Sequence, residues 1–298
     1  MRALVAALDR YARADANLLI TGETGSGKDL VARTLHEIGP RRQEPFVVVD
    51  CPGVPATLFE AELFGHERGA FTDATVARPG RFEQAGAGTV YLDRVDELSL
   101  DAQAKLLRLV ERTQLERLGS SLSVPIRARV IASATSDMEE AVRDGRFRMD
   151  LYHRLRVLPL HVPPLRERRN DFAPLLRRLL VDLSKPRRAP VVRADALEAL
   201  EAYDWPGNVR ELRHVLERTL LAVDGTAITA ADLPGDLFSP ERVADGATAA
   251  RPTLEALERR YIAFVLRETR GNQTRAAAIL GISRKALWEK RKRFAIDD

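Results

Sequence analysis

The sequence predicts an α/β core on a parallel sheet, then a small helical domain, then an all-α helix-turn-helix at the C-terminus. Three observations carry that expectation. Short apolar runs alternate with longer amphipathic segments through the first half, as parallel strands covered by helices do. The β signal stops after Pro163-Pro164. Positive charge gathers at the end: from Thr253 to Asp298 there are eleven basic and six acidic residues, a net +5, leaving 36 basic and 37 acidic before it. That asymmetry suggests a polyanion-binding module joined to a nearly neutral body.

The strands are expected at Leu18–Thr21, Phe46–Asp50, Thr89–Asp93, 129–133 and 157–162. Helices are expected at 28–38 and 101–112 between them, and at 171–183, 195–203 and 208–223 beyond. Residues 234–252, rich in Gly, Pro, Ser and Ala, read as a linker. The boundaries are therefore a core over 1–162, a helical domain over 163–233, that linker, and a helix-turn-helix over 253–298.

A chain of 298 residues with 45% apolar content and a net charge of +4 has room for two or three ordinary cores and lacks the composition of a disordered chain. One cysteine, Cys51, excludes a disulfide framework and a Cys-based zinc site within the chain. It reads as a small residue packed at a strand end. No apolar run approaches the roughly 18 residues of a membrane span, and the N-terminus lacks a secretory pattern, so a cytoplasmic protein with no membrane partner is expected.

Gly22, Glu23, Thr24, Gly25, Ser26, Gly27 and Lys28 lie between the first strand and a helix, the context a phosphate-binding P-loop requires. Glycines let backbone N–H groups curl around phosphate oxygens, the helix N-terminus adds partial positive charge, and Lys28 neutralises the β/γ-phosphates. ATP with Mg²⁺ is the ligand this implies. Asp29 stands where Ser or Thr usually ligates Mg²⁺, and a carboxylate there can hold the ion directly or through water. A second acid, Asp93, ends the strand Thr89–Asp93, as Mg²⁺ binding beside a P-loop requires. Hydrolytic relatives of this motif place Glu next, to orient the attacking water. Here it is Arg94. Either Arg94 points into solvent, or hydrolysis is slow or relies on another water-positioning residue, with Glu97 the nearest.

Gly65 to Gly80 form a glycine-punctuated loop carrying Phe71, which is either a contact residue or folded back into the core. Together with the P-loop, Glu62-Leu63-Phe64-Gly65-His66-Glu67 and Gly69-Ala70-Phe71-Thr72-Asp73-Ala74 resemble the AAA+ domain of bacterial enhancer-binding proteins, the activators of sigma-54 RNA polymerase. The resemblance extends over nearly the whole chain. It implies an AAA+ P-loop NTPase with a helical lid, in which an acid after the P-loop Lys is usual, and a surface loop whose Phe71 and Thr72 touch sigma-54. Asp73 replaces the family's second Gly and removes backbone freedom at the tip.

Further motifs follow in the family's order. Arg129 to Thr135 resembles its sensor strand, with Thr135 as the polar sensing residue. Phe147 to Leu155 resembles the segment supplying arginine fingers, which puts those roles on Arg148 and Arg154; a guanidinium reaching a neighbour's γ-phosphate contributes about 10³- to 10⁵-fold in known cases. Trp205-Pro206-Gly207-Asn208-Val209-Arg210 matches the second sensor, with Arg210 opening a lid helix above the nucleotide. Fingers act between subunits, so a homo-oligomer, from dimer to hexameric ring, is implied. The family's Gly-Arg motif that helps to seat adenine is missing from this sequence, and no receiver or ligand-sensing domain is expected before the P-loop. Regulation is expected from a partner protein, from expression level, or from sequence outside the chain.

Leu254, Leu257, Tyr261, Phe264 and Val265 recur at helical spacing as a core or dimer face. Gln273 to Leu280, then Gly281-Ile282-Ser283, then Arg284 to Phe294 read as helix, glycine turn, helix. Ser283, Arg284 and Lys285 are placed for base edges or nearby phosphates, and Lys290, Arg291, Lys292 and Arg293 for the backbone of enhancer DNA. Trp288 and Phe294 are expected to anchor this helix to its own core. The segment also resembles the Fis-type helix-turn-helix of those activators. The chain thus reads as a sigma-54-dependent activator that binds and hydrolyses ATP in a ring. The alternative is an ATP-binding, DNA-binding regulator with impaired hydrolysis that does not remodel polymerase.

Overall fold

The computed structural model describes residues 2–54, 58–71, 74–112, 114–135, 137–186, 188–223, 225–235, 254–269 and 272–294. The chain divides into two compact units, one of residues 1–190 with 200–221 and one of 191–199 with 222–298. The expected helical domain is thus apportioned between them.

The first unit holds a five-stranded, wholly parallel sheet. Its order is Phe46–Asp50, Thr89–Asp93, Arg129–Ala134, Leu18–Thr21, Leu158–His161. Alternate residues face opposite sides. Leu18, Ile20, Tyr91, Ile131 and Leu160 pack with Leu4, Val31 and Leu35 on one face. Leu19, Val90, Leu92, Val130 and Ala132 pack with Phe59, Phe82, Leu106 and Leu151 on the other. Burial on both faces is why these strands read as continuous apolar runs. The flanking helices Lys28–Glu37 and Leu100–Arg112 fall where periodicity puts them.

Register gives the sheet its functional edge. Asp50 pairs with Asp93, and Thr21 with Ala134, so the P-loop, Asp93 and Thr135 all leave from the carboxyl ends of neighbouring strands. Ligands of open α/β sheets bind at that edge. The helices Phe172–Ser184 and Asn208–Ala222 bury Leu176, Leu180, Leu212, Val215 and Leu216; Trp205, also buried, lies 6.1 Å from the Phe172 ring and donates its indole N–H to Leu200 O at 2.8 Å.

Most elements the sequence did not signal are short. They include the helices Phe59–Phe64, Arg81–Ala85, Met138–Arg143 and Met149–Leu155, and two-stranded ribbons pairing Gly65–His66 with Arg78–Pro79 and Gln114–Glu116 with Ser123–Pro125. None fills the 11-residue window over which periodicity becomes visible. The N-terminal helix Arg2–Arg13 also went unpredicted.

In the second unit, the helices Leu254–Glu268, Gln273–Leu280 and Arg284–Phe294 enclose Ile262, Val265, Leu266, Ala276, Ala277, Leu287 and Phe294. Asn272 caps the middle helix by accepting Arg275 N–H at 3.1 Å, and Gly281 ends it at φ 66°, a left-handed turn that favours glycine. Small Ala276 and Ala277 let the helices cross closely. Phe294 anchors the last helix as expected, but Trp288 does not: it is 57% exposed, because Leu287 and Phe294 occupy the inward stripe. Tyr261 and Phe264 are exposed as well, and Ile262 and Leu266 take the core positions instead. The side chains of Leu254 and Leu257, and nearly all of the expected linker, lie outside the described residues.

Candidate functional site

The P-loop is shaped by glycines and closed by the lid. Gly25 has φ 74°, and a Cβ there would stand 2.4 Å from Gly207 O, so only glycine lets the two segments approach. Val209 N–H donates to Gly25 O at 3.0 Å. Gly27 begins the helix Lys28–Glu37 at φ 104°. Lys28 is 5% exposed, and its ammonium donates to Gly22 O at 2.8 Å and Glu23 O at 3.1 Å. Burial pulls its pKa below the usual lysine range, and Asp93, Asp29 and Asp96 oppose that. The buried Ser26 hydroxyl has no hydrogen-bond partner among the described residues. A buried lysine and an orphaned hydroxyl in a glycine turn at a helix N-terminus fit a phosphate group.

Two carboxylates complete the edge. The buried Tyr91 hydroxyl reaches both, at 2.9 Å from Asp29 Oδ1 and 3.0 Å from Asp93 Oδ1. Burial pushes the Tyr91 phenol far up in pKa, so it stays a neutral donor between the acids. Ser133 Oγ donates to Asp93 Oδ1 at 2.5 Å, and Thr135 donates through N–H (3.0 Å) and hydroxyl (2.9 Å) to Asp96. Among the described residues no cluster of three or more His, Cys, Asp or Glu could hold a metal. A pair of carboxylates fits Mg²⁺, which usually completes its shell with phosphates and water.

Arg94 does not point into solvent. Its guanidinium lies 2.6 Å from Asp50 Oδ1, 3.3 Å from Glu97 Oε1 and 3.8 Å from Asp93 Oδ2. Its backbone is left-handed, at φ 57°. That conformation costs a non-glycine residue about 1 to 2 kcal/mol, offset here by three surrounding carboxylates and an N–H bond to Ser133 Oγ at 3.0 Å. The Asp50 hydrogen bond holds Arg94 still more firmly protonated. Glu97, the nearest substitute for a water-positioning acid, is therefore paired to a cation.

The lid grips the P-loop through residues that sequence reasoning missed. Arg166 makes a forked pair with Glu23 (2.8 and 2.5 Å), drawing the Glu23 carboxyl below its usual range. Asn208, wholly buried at φ 53°, donates to Glu23 Oε2 and Thr24 O at 3.1 Å and accepts Leu165 N–H at 2.7 Å. Arg168 donates to Ser26 O at 2.7 Å. Arg210 is exposed one turn into this grip, its Cβ 3.0 Å from the position a Cβ on Gly25 would take. Replacing Asn208 with Ala would leave the buried Leu165 N–H unpaired, at about 1 to 3 kcal/mol. Thermal unfolding should fall by roughly 2 to 10 °C, and ATP affinity with it; an unchanged melt and unchanged affinity would contradict this role.

Arg148 and Arg154 are both exposed. Arg148 forks onto Asp150 at 3.1 and 2.7 Å, and its N–H is held by Gln103 Oε1 at 2.8 Å. The Arg154 backbone accepts from Asn17 at 3.0 Å. The Phe71 ring is half-buried, its centroid 4.9 Å from that of His66, so it rests on its own loop stem and not in either core cluster. Thr72 lies outside the described residues. Arg117, which no motif flagged, clamps the stem by reaching Glu67 at 2.9 Å and Glu83 at 2.9 and 2.5 Å.

On the last helix, Ser283 Oγ accepts Ala286 N–H at 3.1 Å and so caps the helix, while Arg284, Lys285, Lys292 and Arg293 are exposed. Lys290 is tied to Glu258 at 2.5 Å, and Arg291 is half-buried. Four outward cations per protomer would neutralise about eight phosphates in a bound dimer. Log K should then fall against log[salt] with slope near about −7, whereas a flat dependence would rule out this face.

Fold and site define a class: an AAA+ P-loop NTPase with a parallel sheet and helical lid, joined to a C-terminal helix-turn-helix. The sequence matches the family model for the sigma-54 interaction domain over residues 1–161, that for the AAA+ ATPase lid domain over 166–250, and that for bacterial regulatory proteins of the Fis family over 253–294. The chain belongs to the sigma-54 interaction domain family. It is 39% identical to the regulatory protein AtoC of Escherichia coli K12, over 97% of this chain and 64% of that one. It is 41% identical to the transcriptional regulatory protein ZraR of Klebsiella oxytoca, over 98% of this chain and 67% of that one. The chain spans less than half, 46%, of another relative, the E. coli transcriptional activator HyfR. Among solved structures, NtrX from Brucella abortus in complex with ATP superposes with a TM-score of 0.73 at 33% identity, covering 99% of this chain and 67% of that one. Its ADP complex gives 0.76 at 32% identity, covering 99% and 68%. No helix among the described residues is long and apolar enough to cross a membrane.

Proposed function

We propose that this chain is a cytoplasmic sigma-54-dependent transcriptional activator that binds and slowly hydrolyses ATP in a homo-oligomeric ring. The observation that carries this reading is the convergence of Lys28, Asp29 and Asp93 on one sheet edge beneath the Asn208–Ala222 lid helix. Gly22 to Lys28 cradle the phosphates, Lys28 moves from its carbonyl partners to the β/γ-phosphates, and Arg210 closes from the lid. Asp93 and Asp29 would hold Mg²⁺, which would supply positive charge to offset that of the phosphates. Thr135 reports through Asp96 on the end of the Asp93 strand. Arg148 and Arg154 leave their own subunit's surface to meet a neighbour's γ-phosphate. Phe71 and Thr72 engage sigma-54 as the ring changes state, and the helix-turn-helix holds the assembly at enhancer DNA. The domains divide at 1–162, 163–233, 234–252 and 253–298, and the signal comes from a regulatory partner protein, from expression level or from sequence outside the chain.

Arg94 favours a second reading, an ATP-binding DNA regulator without a motor, because a cation pinned to Asp50 replaces the acid that would orient water. Steady-state ATPase measured across protein concentration separates the two. The motor reading predicts turnover that rises more steeply than protein concentration as subunits assemble; ATP binding with no turnover at ring-forming concentrations would leave only the second reading.

A further inference from the structure

Two tryptophans occupy opposite environments: Trp205 is 1% exposed and Trp288 is 57% exposed. Leu287 and Phe294 already fill the inward stripe of the last helix, so Trp288 contributes nothing to that core. Its neighbours on the outward face are cations. Arg284 and Lys285 lie one turn earlier, and Lys292 lies one turn later with its ammonium 5.5 Å from the indole centroid. A large apolar ring in the middle of a positive helix face is poorly matched to a second copy of the same face, because the cations of the two faces would repel one another. A polyanion with apolar patches between its charges fits it well. The grooves of duplex DNA provide that surface, with phosphates at the walls and deoxyribose and thymine methyl groups between them.

We infer that Trp288 is a DNA-contacting residue whose indole covers thymine methyl and deoxyribose surface while Arg284, Lys285 and Lys292 hold the flanking phosphates. This rests on the proposal that the helix-turn-helix reads DNA. It places an apolar contact one turn beyond the residues at the helix N-terminus, and so adds a position sensitive to thymine.

The test uses the full chain and a duplex selected by that chain from a random-sequence pool. In the free protein, acrylamide should quench Trp288 and spare Trp205; on the duplex the Trp288 signal should become protected. W288A should bind about tenfold more weakly with its salt slope unchanged, and W288F should keep most of the affinity. R284A, in contrast, should flatten the slope by about one for each phosphate contact removed. Replacing thymine with deoxyuridine should weaken the unaltered chain several-fold and leave W288A indifferent. A matching circular-dichroism melt for W288A removes misfolding as the cause. Salt-dependent binding with Trp288 still open to acrylamide, or W288A binding as tightly as the unaltered chain, overturns the inference alone. Shielding in the free protein that grows with protein concentration overturns it in favour of a contact between copies. Failure of the unaltered chain to bind any duplex removes the DNA-reading proposal and this inference together.

Discussion

Arg94→Glu is expected to raise steady-state ATP turnover by about 10²-fold or more, the scale a positioned acid or base contributes to proton transfer. By sequence position the guanidinium takes the place of the acid that hydrolytic relatives carry, and it also pairs with Glu97 at 3.3 Å. The substitution supplies the acid and frees Glu97 together. Arg94→Ala separates these effects, since it releases Glu97 without adding a carboxylate, and should give a smaller gain. Both variants lose the Asp50 pair. The Arg94 side chain is one-third exposed, so that loss should cost at most about 1 kcal/mol of stability. Turnover in Arg94→Glu no higher than in the unaltered chain, at equal ATP affinity, would show that Arg94 is not the block.

Arg148→Ala and Arg154→Ala should each lower turnover by about 10³-fold with little change in ATP affinity, because a finger acts on charge that develops in the transition state. Neither residue sits inside its own subunit's phosphate cradle, and Arg148 has to leave Asp150, an exposed partner that surrenders it readily. The trans arrangement is checked by mixing Arg154→Ala with Lys28→Ala. Each should be nearly inactive alone, and in the proposed ring a mixture should restore some interfaces with an intact nucleotide site facing an intact finger. Lack of recovery in mixtures that assemble normally would contradict fingers acting between subunits.

What the sequence made legible is what phosphate chemistry fixes by spacing. Gly22 to Lys28 after a strand, an acid ending the Thr89–Asp93 strand, and a glycine turn between two short helices all fell where expected. Contacts made only by tertiary packing were illegible. Asn208 sits in a familiar motif, but nothing in its neighbours says that its amide spans Glu23, Thr24 and Leu165. Tyr91 read as one more apolar strand residue until its hydroxyl was found between Asp29 and Asp93. Arg117 follows a strand, Gln114–Glu116, too short to signal itself. Trp288 was misplaced for a simpler reason: adjacent helix positions point about 100° apart, and Leu287 had already taken the inward one.

The coupling of ATP to promoter melting is tested most directly by open-complex formation with sigma-54 RNA polymerase on enhancer-bearing DNA. A sigma-54 activator should give opening that requires ATP, disappears with Lys28→Ala, and disappears with Phe71→Ala while that variant's ATP turnover persists. No opening despite ATP turnover by the unaltered chain, or opening that Phe71→Ala leaves intact, would contradict that role.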